Sequence, residues 1–148
     1  MSLTDTIGAD IARAMKARDA TTLTALRMLK TALTNKGIEK HRTLDPAEEL
    51  QVVAALVKQR RDSIEQFEAA GRHELAEKER AEIAVLDAYL PPAASDNELA
   101  AAVDAAITST GASTAKDMGK VMKGVMSALS GKTVDGKRVN ELVRARLS

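Results

Sequence analysis

Apolar positions recur at helical intervals along almost the whole chain. Ile7, Ile11 and Met15 stand at i, i+4 and i+8, which predicts a helix over about residues 3–17 with that face inward. Leu26, Leu29 and Leu33 set the inner face of a second helix over about 20–40, with Arg27, Lys30 and Lys36 outside; residues 41–44 connect onward. A third helix opens at Asp45-Pro46-Ala47-Glu48. Asp45 suits the N-cap, Pro46 the first turn, and Glu48 can bond back to the cap. This helix runs through Val53, Leu56, Val57, Ile64 and Phe67 and stops at Gly71. A fourth, over about 72–89, turns Leu75, Ile83, Leu86 and Leu90 inward, making a long antiparallel hairpin with the third.

Pro91-Pro92 interrupts the pattern. Neither proline has a backbone N–H, and each steers its predecessor away from helix. Ser95-Asp96-Asn97-Glu98 restarts a helix with a capping box, and that helix runs to Gly111. Thr114 to Asp117 cap the next, which ends near Gly131. On it Met118, Val121, Met122, Val125, Met126 and Leu129 fall on one face. Asp135 precedes the last helix, with Val139, Leu142, Val143 and Leu147 inward and Lys137, Arg138, Arg144 and Arg146 outward. No alternating β-branched run occurs. The expected fold is all-α: an N-terminal four-helix domain (1–90) with a long helical hairpin, a hinge at 91–94, and a C-terminal three-helix bundle (95–148).

Charge changes this picture more than composition does. The formal net charge of the 148 residues is only +1, but its distribution is uneven. Residues 10–42 carry eight Lys/Arg against three Asp/Glu, residues 45–104 six against fourteen, and residues 112–148 eight against three. Two basic ends flank an acidic middle, an asymmetry that bears on partners rather than on fold. Within the last block, Lys116, Lys120 and Lys123 lie off the apolar face at i, i+4 and i+7 and form a basic stripe. The single Phe, single Tyr and absent Trp argue against stacking of unpaired bases, so any nucleic acid bound here is read by shape and phosphates. The absence of Cys fits a reducing compartment. No apolar run reaches membrane-spanning length, and the first residues lack a signal pattern, so a cytoplasmic location is expected.

Candidate catalytic patterns fail on spacing. Gly131-Lys132-Thr133 ends like a phosphate-binding loop, but Met126 stands where the motif needs glycine, and a helix precedes it instead of a strand. His73-Glu74 has Glu77, not a second His, four residues after His73, so no zinc helix is read. Glu65, Glu68, Glu74, Glu77 and Glu82 are interspersed with Arg60, Arg61, Lys78 and Arg80, a pattern of solvated ion pairs. No cofactor, metal site or catalytic residue is expected.

Several blocks taken together resemble the GatB/YqeY family: Arg27-Met28-Leu29-Lys30; Arg60 to Phe67 with Ala70-Gly71-Arg72; Leu86-Asp87-Ala88-Tyr89-Leu90-Pro91; and, most specifically, Asp117 to Lys123 with Gly131-Lys132, Asp135-Gly136-Lys137 and Val139-Asn140. The chain is similar to stand-alone members across nearly its full length, departing where Pro91-Pro92-Ala93-Ala94 replaces the usual leucine-rich boundary. The resemblance implies an all-helical protein whose last domain is like the tail of the B subunit of the glutamine-dependent tRNA amidotransferase, a tail that contacts tRNA. The catalytic cradle and the amidase of that enzyme have no counterpart here. The expected function is therefore a non-catalytic tRNA- or structured-RNA-binding or accessory protein of translation. Its expected contacts are Lys116, Lys120, Lys123, Lys132, Lys137 and Arg138, with Asn140 as a cap or orienting side chain. No DNA sequence readout and no membrane partner are expected. A protein-interaction adaptor is the alternative. A carbon–nitrogen ligase using glutamine as amido donor is the least supported, since no ATP site or nucleophile can be named.

Overall fold

The computed structural model describes residues 2–147, in which seven α-helices and one 3-10 turn account for all regular structure apart from an isolated bridge between Ala93 and Thr133. Met1 and Ser148, the outer bounds of the two expected domains, lie outside the described residues. The helices are α1 (Leu3–Ala17), α2 (Ala20–Lys40), α3 (Pro46–Ala69), α4 (His73–Asp87), α5 (Asp96–Thr110), α6 (Met118–Ala128) and α7 (Gly136–Leu147), with the 3-10 turn at Ala115–Asp117. The chain divides into two compact units between Leu90 and Pro91.

In the first unit α1–α4 surround a core of Ile7, Leu26, Leu29, Leu33, Val53, Val57 and Leu86. α3 and α4 form the expected antiparallel pair, and α2 packs against both and against α1. The start of α3 is as its sequence dictates. Asp45 Oδ1 accepts from Glu48 N at 2.8 Å, and the Glu48 carboxylate accepts from Asp45 N at 3.0 Å. Gly71 takes φ +73°, the left-handed region that a glycine enters at low cost.

Met15 departs from expectation: it is 55% exposed, while Ala14 is buried. The helical period explains this. Steps of four residues drift by about 40° each on a 3.6-residue turn, so the second step carries Met15 off the Ile7 face and leaves Ala14 on it. Lys36 is half-buried rather than outside, and lies 3.4 Å from Glu39. Arg60 and Glu82 are corrections of more consequence. Each is only 5% exposed, so their ion pair is buried and not one of the solvated pairs expected of this hairpin. Arg60 Nε lies 3.3 Å from Glu82 Oε2 and 3.8 Å from Glu79 Oε2, while its other nitrogens donate to the Leu56 carbonyl at 3.2 Å and approach Met28 Sδ at 3.1 Å. With that set each of the three guanidinium nitrogens has a partner, which is what keeps a buried charge tolerable.

The second unit packs α5, α6 and α7 around Leu99, Val103, Val121, Val125, Leu129, Val139, Val143 and Leu147. Met118, Met122 and Leu142 are half-buried against this core. Met126 is 45% exposed, contrary to its expected inward position; it follows Val125 by a rotation of about 100°, beyond the buried arc. α6 ends at Ala128, short of Gly131. Gly124 brings α6 close to α5: a Cβ built there would meet Ala106 Cβ at 3.2 Å. Residues 91–94 are tied into this unit through Thr133, whose Oγ1 donates to the Pro91 carbonyl at 2.6 Å, whose N donates to Pro92 O at 3.0 Å, and whose carbonyl accepts from Ala94 N at 2.9 Å.

Candidate nucleic-acid interface

The second unit, from residue 91 onward, carries eight Lys/Arg against six Asp/Glu, so its basic character depends on which charges are already matched. Four of the acids are matched. Glu98 pairs with Lys132, Asp104 with Arg146, and Arg138 lies 3.4 Å from Glu141 and 3.9 Å from Asp96. The Lys132 pairing also holds the Glu98 carboxyl below its ordinary value.

Lys116, Lys120 and Lys123 are all exposed and make no ion pair among the described residues. The 3-10 turn and the first turns of α6 place them in sequence along one side of that helix, off the Val121–Val125 face. The nearest acid in sequence, Asp117, is engaged elsewhere. Its carboxylate accepts from Ser113 N at 3.1 Å and from Thr114 N at 3.4 Å. These backbone bonds, with a smaller contribution from the Lys120 charge, hold its pKa below the ordinary value. Lys137, at the start of α7, is exposed as well, with its backbone N donating to Asp135 Oδ1 at 3.1 Å.

The seven residues singled out in the sequence thus fall into three groups. Lys116, Lys120 and Lys123 form an open cationic stripe, and Lys137 is exposed on the next helix. Lys132 and Arg138 are exposed but matched by carboxylates. Asn140 is half-buried, and its Nδ2 lies 3.7 Å from Met118 Sδ, which makes it a link between α7 and α6. Arg144, exposed on α7 and without an ion pair among the described residues, is a cation that the stripe motif alone did not single out. Its signal was present in the outward face of the last helix.

Other chemistry is sparse. Among the described residues no three His, Asp or Glu side chains cluster as metal ligands, and no helix is long and apolar enough to cross a membrane. His73 Nδ1 lies 2.6 Å from Glu68 Oε2 in a surface pair. Gly131 has φ +88° in the turn after α6, and Lys132 beside it is turned to Glu98 instead of towards an open loop. In the first unit the shared blocks do structural work: Arg60 forms the buried pair, Leu86 is core, and the Tyr89 hydroxyl donates to Asp10 Oδ2 at 2.5 Å.

A helical hairpin unit followed by a small basic three-helix unit is the architecture implied by the shared sequence blocks. The family model described as Yqey-like protein matches residues 4–147, and the chain belongs to that family. Its relatives include proteins named "Altered inheritance of mitochondria protein 41, mitochondrial". The one from Eremothecium gossypii is 39% identical over 99 residues, covering 65% of this chain and 54% of its own length. That from Lachancea thermotolerans is 35% identical over 102 residues, covering 67% and 54%. That from Pyrenophora tritici-repentis is 30% identical over 145 residues, covering 93% and 79%. The chain therefore spans about half the length of the first two relatives and most of the third.

Proposed function

We propose that this protein is a non-catalytic binder of folded RNA, with tRNA or a tRNA-like structure as its ligand and the α6–α7 face of the second unit as its contact surface. The observation that carries this reading is the stripe of Lys116, Lys120 and Lys123, exposed and unmatched on a unit four of whose six carboxylates are paired with Lys132, Arg138 and Arg146. An ammonium that has no protein partner retains its full attraction for phosphate, whereas one already matched must give up a carboxylate first. Lys137 and Arg144 extend the surface on α7. Lys132 and Arg138 contribute less, and Asn140 orients α7 through Met118 without touching RNA.

The near-absence of aromatic side chains favours a duplex or folded backbone over single strands. The resemblance of the Asp117 to Asn140 blocks to the amidotransferase tail supports tRNA in particular, in an accessory role in translation. The compartment is a reducing one, consistent with a Cys-free chain and with the mitochondrial location in the names of the relatives. Filter binding of bulk folded tRNA at low salt tests the reading. The parent should bind, and replacement of Lys120, Lys123 and Lys137 by Glu should weaken binding far more than the same change at Lys58, Arg61 and Lys78. Equal loss from both triples, or no binding by the parent, would refute it.

A further inference from the structure

Glu49, on the first turns of α3, is 8% exposed, and its carboxylate makes no hydrogen bond or ion pair with any described residue. Its neighbour Glu48 is buried to the same degree but is fully matched by Lys40 and Arg42. No fully enclosed side-chain oxygen lacks a partner among the described residues, so the Glu49 oxygens must reach open space. Glu49 lines a cleft of about 290 Å³ between the start of α1, the last turns of α2 and the start of α3. Thr4, Thr34 and Thr43 line it from three different segments, and none of their hydroxyls has a hydrogen-bond partner among the described residues. Leu33 and Leu44 supply an apolar wall, Asp5 adds a second carboxylate, and no lining residue is basic.

We propose that this cleft binds the primary ammonium group of a small aliphatic amine. A buried carboxylate left without a cation is costly unless water or a ligand completes it. An ammonium carries three N–H donors and no acceptor, and so needs acceptors alone. The Glu49 carboxylate and the threonine hydroxyls that line the cleft offer them, and Leu33 and Leu44 receive a short alkyl stem. The two carboxylates and the absence of any cation repel an anion. The cleft is too roomy, and its hydroxyl donors too weakly coordinating, for a bare divalent ion, which favours a tight set of carboxylate and carbonyl oxygens.

The test is titration of the full chain with n-butylammonium, followed by backbone amide NMR. Saturable shifts confined to residues around Thr34, Thr43, Leu44 and Glu49 are expected. The isosteric n-butanol and the anion butyrate should produce none. Glu49→Gln keeps the shape, removes the charge, and should weaken binding about tenfold or more, the usual worth of a charge-assisted hydrogen bond. Should that variant fail to fold, Thr34→Val carries the same test, with a smaller expected loss. Shifts spread over the acidic faces of α3 and α4, equal shifts with n-butanol, unchanged affinity in a folded Glu49→Gln variant, or no saturable shift in the parent would each overturn the proposal.

Discussion

Arg60 on α3 and Glu82 on α4 meet at 3.3 Å with side chains 6% and 7% exposed, so the helical hairpin of the first unit is locked by an ion pair that water scarcely reaches. Such a pair is fragile to loss of one member more than to loss of both. Glu82→Leu leaves the guanidinium with Glu79 at 3.8 Å as its remaining carboxylate. Thermal unfolding should show a loss of about 3 kcal/mol for Glu82→Leu, and a clearly smaller loss for the double change Arg60→Met with Glu82→Leu. A double variant as unstable as the sum of the singles would show that the pair does not act as a unit.

Glu48 ties the start of α3 to the end of α2. Its carboxylate accepts from Arg42 through two bonds, at 2.5 and 2.8 Å, from Lys40 at 2.8 Å, and from Asp45 N at 3.0 Å. Arg42, then Lys40 and the Asp45 amide, hold its pKa well below the ordinary carboxylate value of 4.5. A carboxyl whose folded pKa is depressed stabilises the fold above its unfolded value, and the benefit is lost as pH falls below that value. Glu48→Gln should therefore lower Tm at pH 7. The gap between variant and parent should narrow steadily as pH is taken below 4.5. A gap constant from neutral to strongly acid pH would contradict the linkage.

Two glycines of α6 should respond in opposite ways. Gly119 has nothing near its absent Cβ, so Gly119→Ala should stabilise the second unit by about 0.5–1 kcal/mol through reduced freedom of the unfolded chain. At Gly124 a Cβ meets Ala106, and a larger side chain must part α5 from α6. Gly124→Val should cost about 1–3 kcal/mol. Chemical denaturation of the two variants checks both signs.

Much of this was legible in the sequence because it depends on local rules. The capping boxes at Asp45 and Ser95, the glycine stops at Gly71 and Gly111, and the core faces of α2 and α7 follow from residue type and helical spacing. What was not legible depends on tertiary contact. Arg60 and Glu82 are 22 positions apart, so nothing local separates them from the solvated pairs around them. Lys132 and Arg138 look like free cations in one dimension, and only folding brings Glu98 and Asp96 to them. The unpartnered state of Glu49 and the close approach at Gly124 are likewise properties of packed helices, invisible in composition.

The strap of residues 91–94 belongs energetically with the second unit, through the three hydrogen bonds made by Thr133. A fragment of residues 91–148 should fold alone and unfold at a higher temperature than one of residues 95–148, which loses all three partners. Equal midpoints for the two fragments would show that the strap adds nothing.

The central claim is that the unmatched lysines of the stripe, Lys116, Lys120 and Lys123, hold phosphates. The salt dependence of tRNA affinity tests it most directly, because each neutralised phosphate releases counterions and steepens the fall of log K with log salt. Fluorescence anisotropy with folded tRNA should be run across a range of salt on the parent and on a variant with Lys116, Lys120 and Lys123 replaced by Gln, which keeps the helix and removes three charges. The account predicts a slope shallower by about 3 in the variant, near one unit per lysine. A variant slope equal to the parent's, with helicity intact, would contradict it.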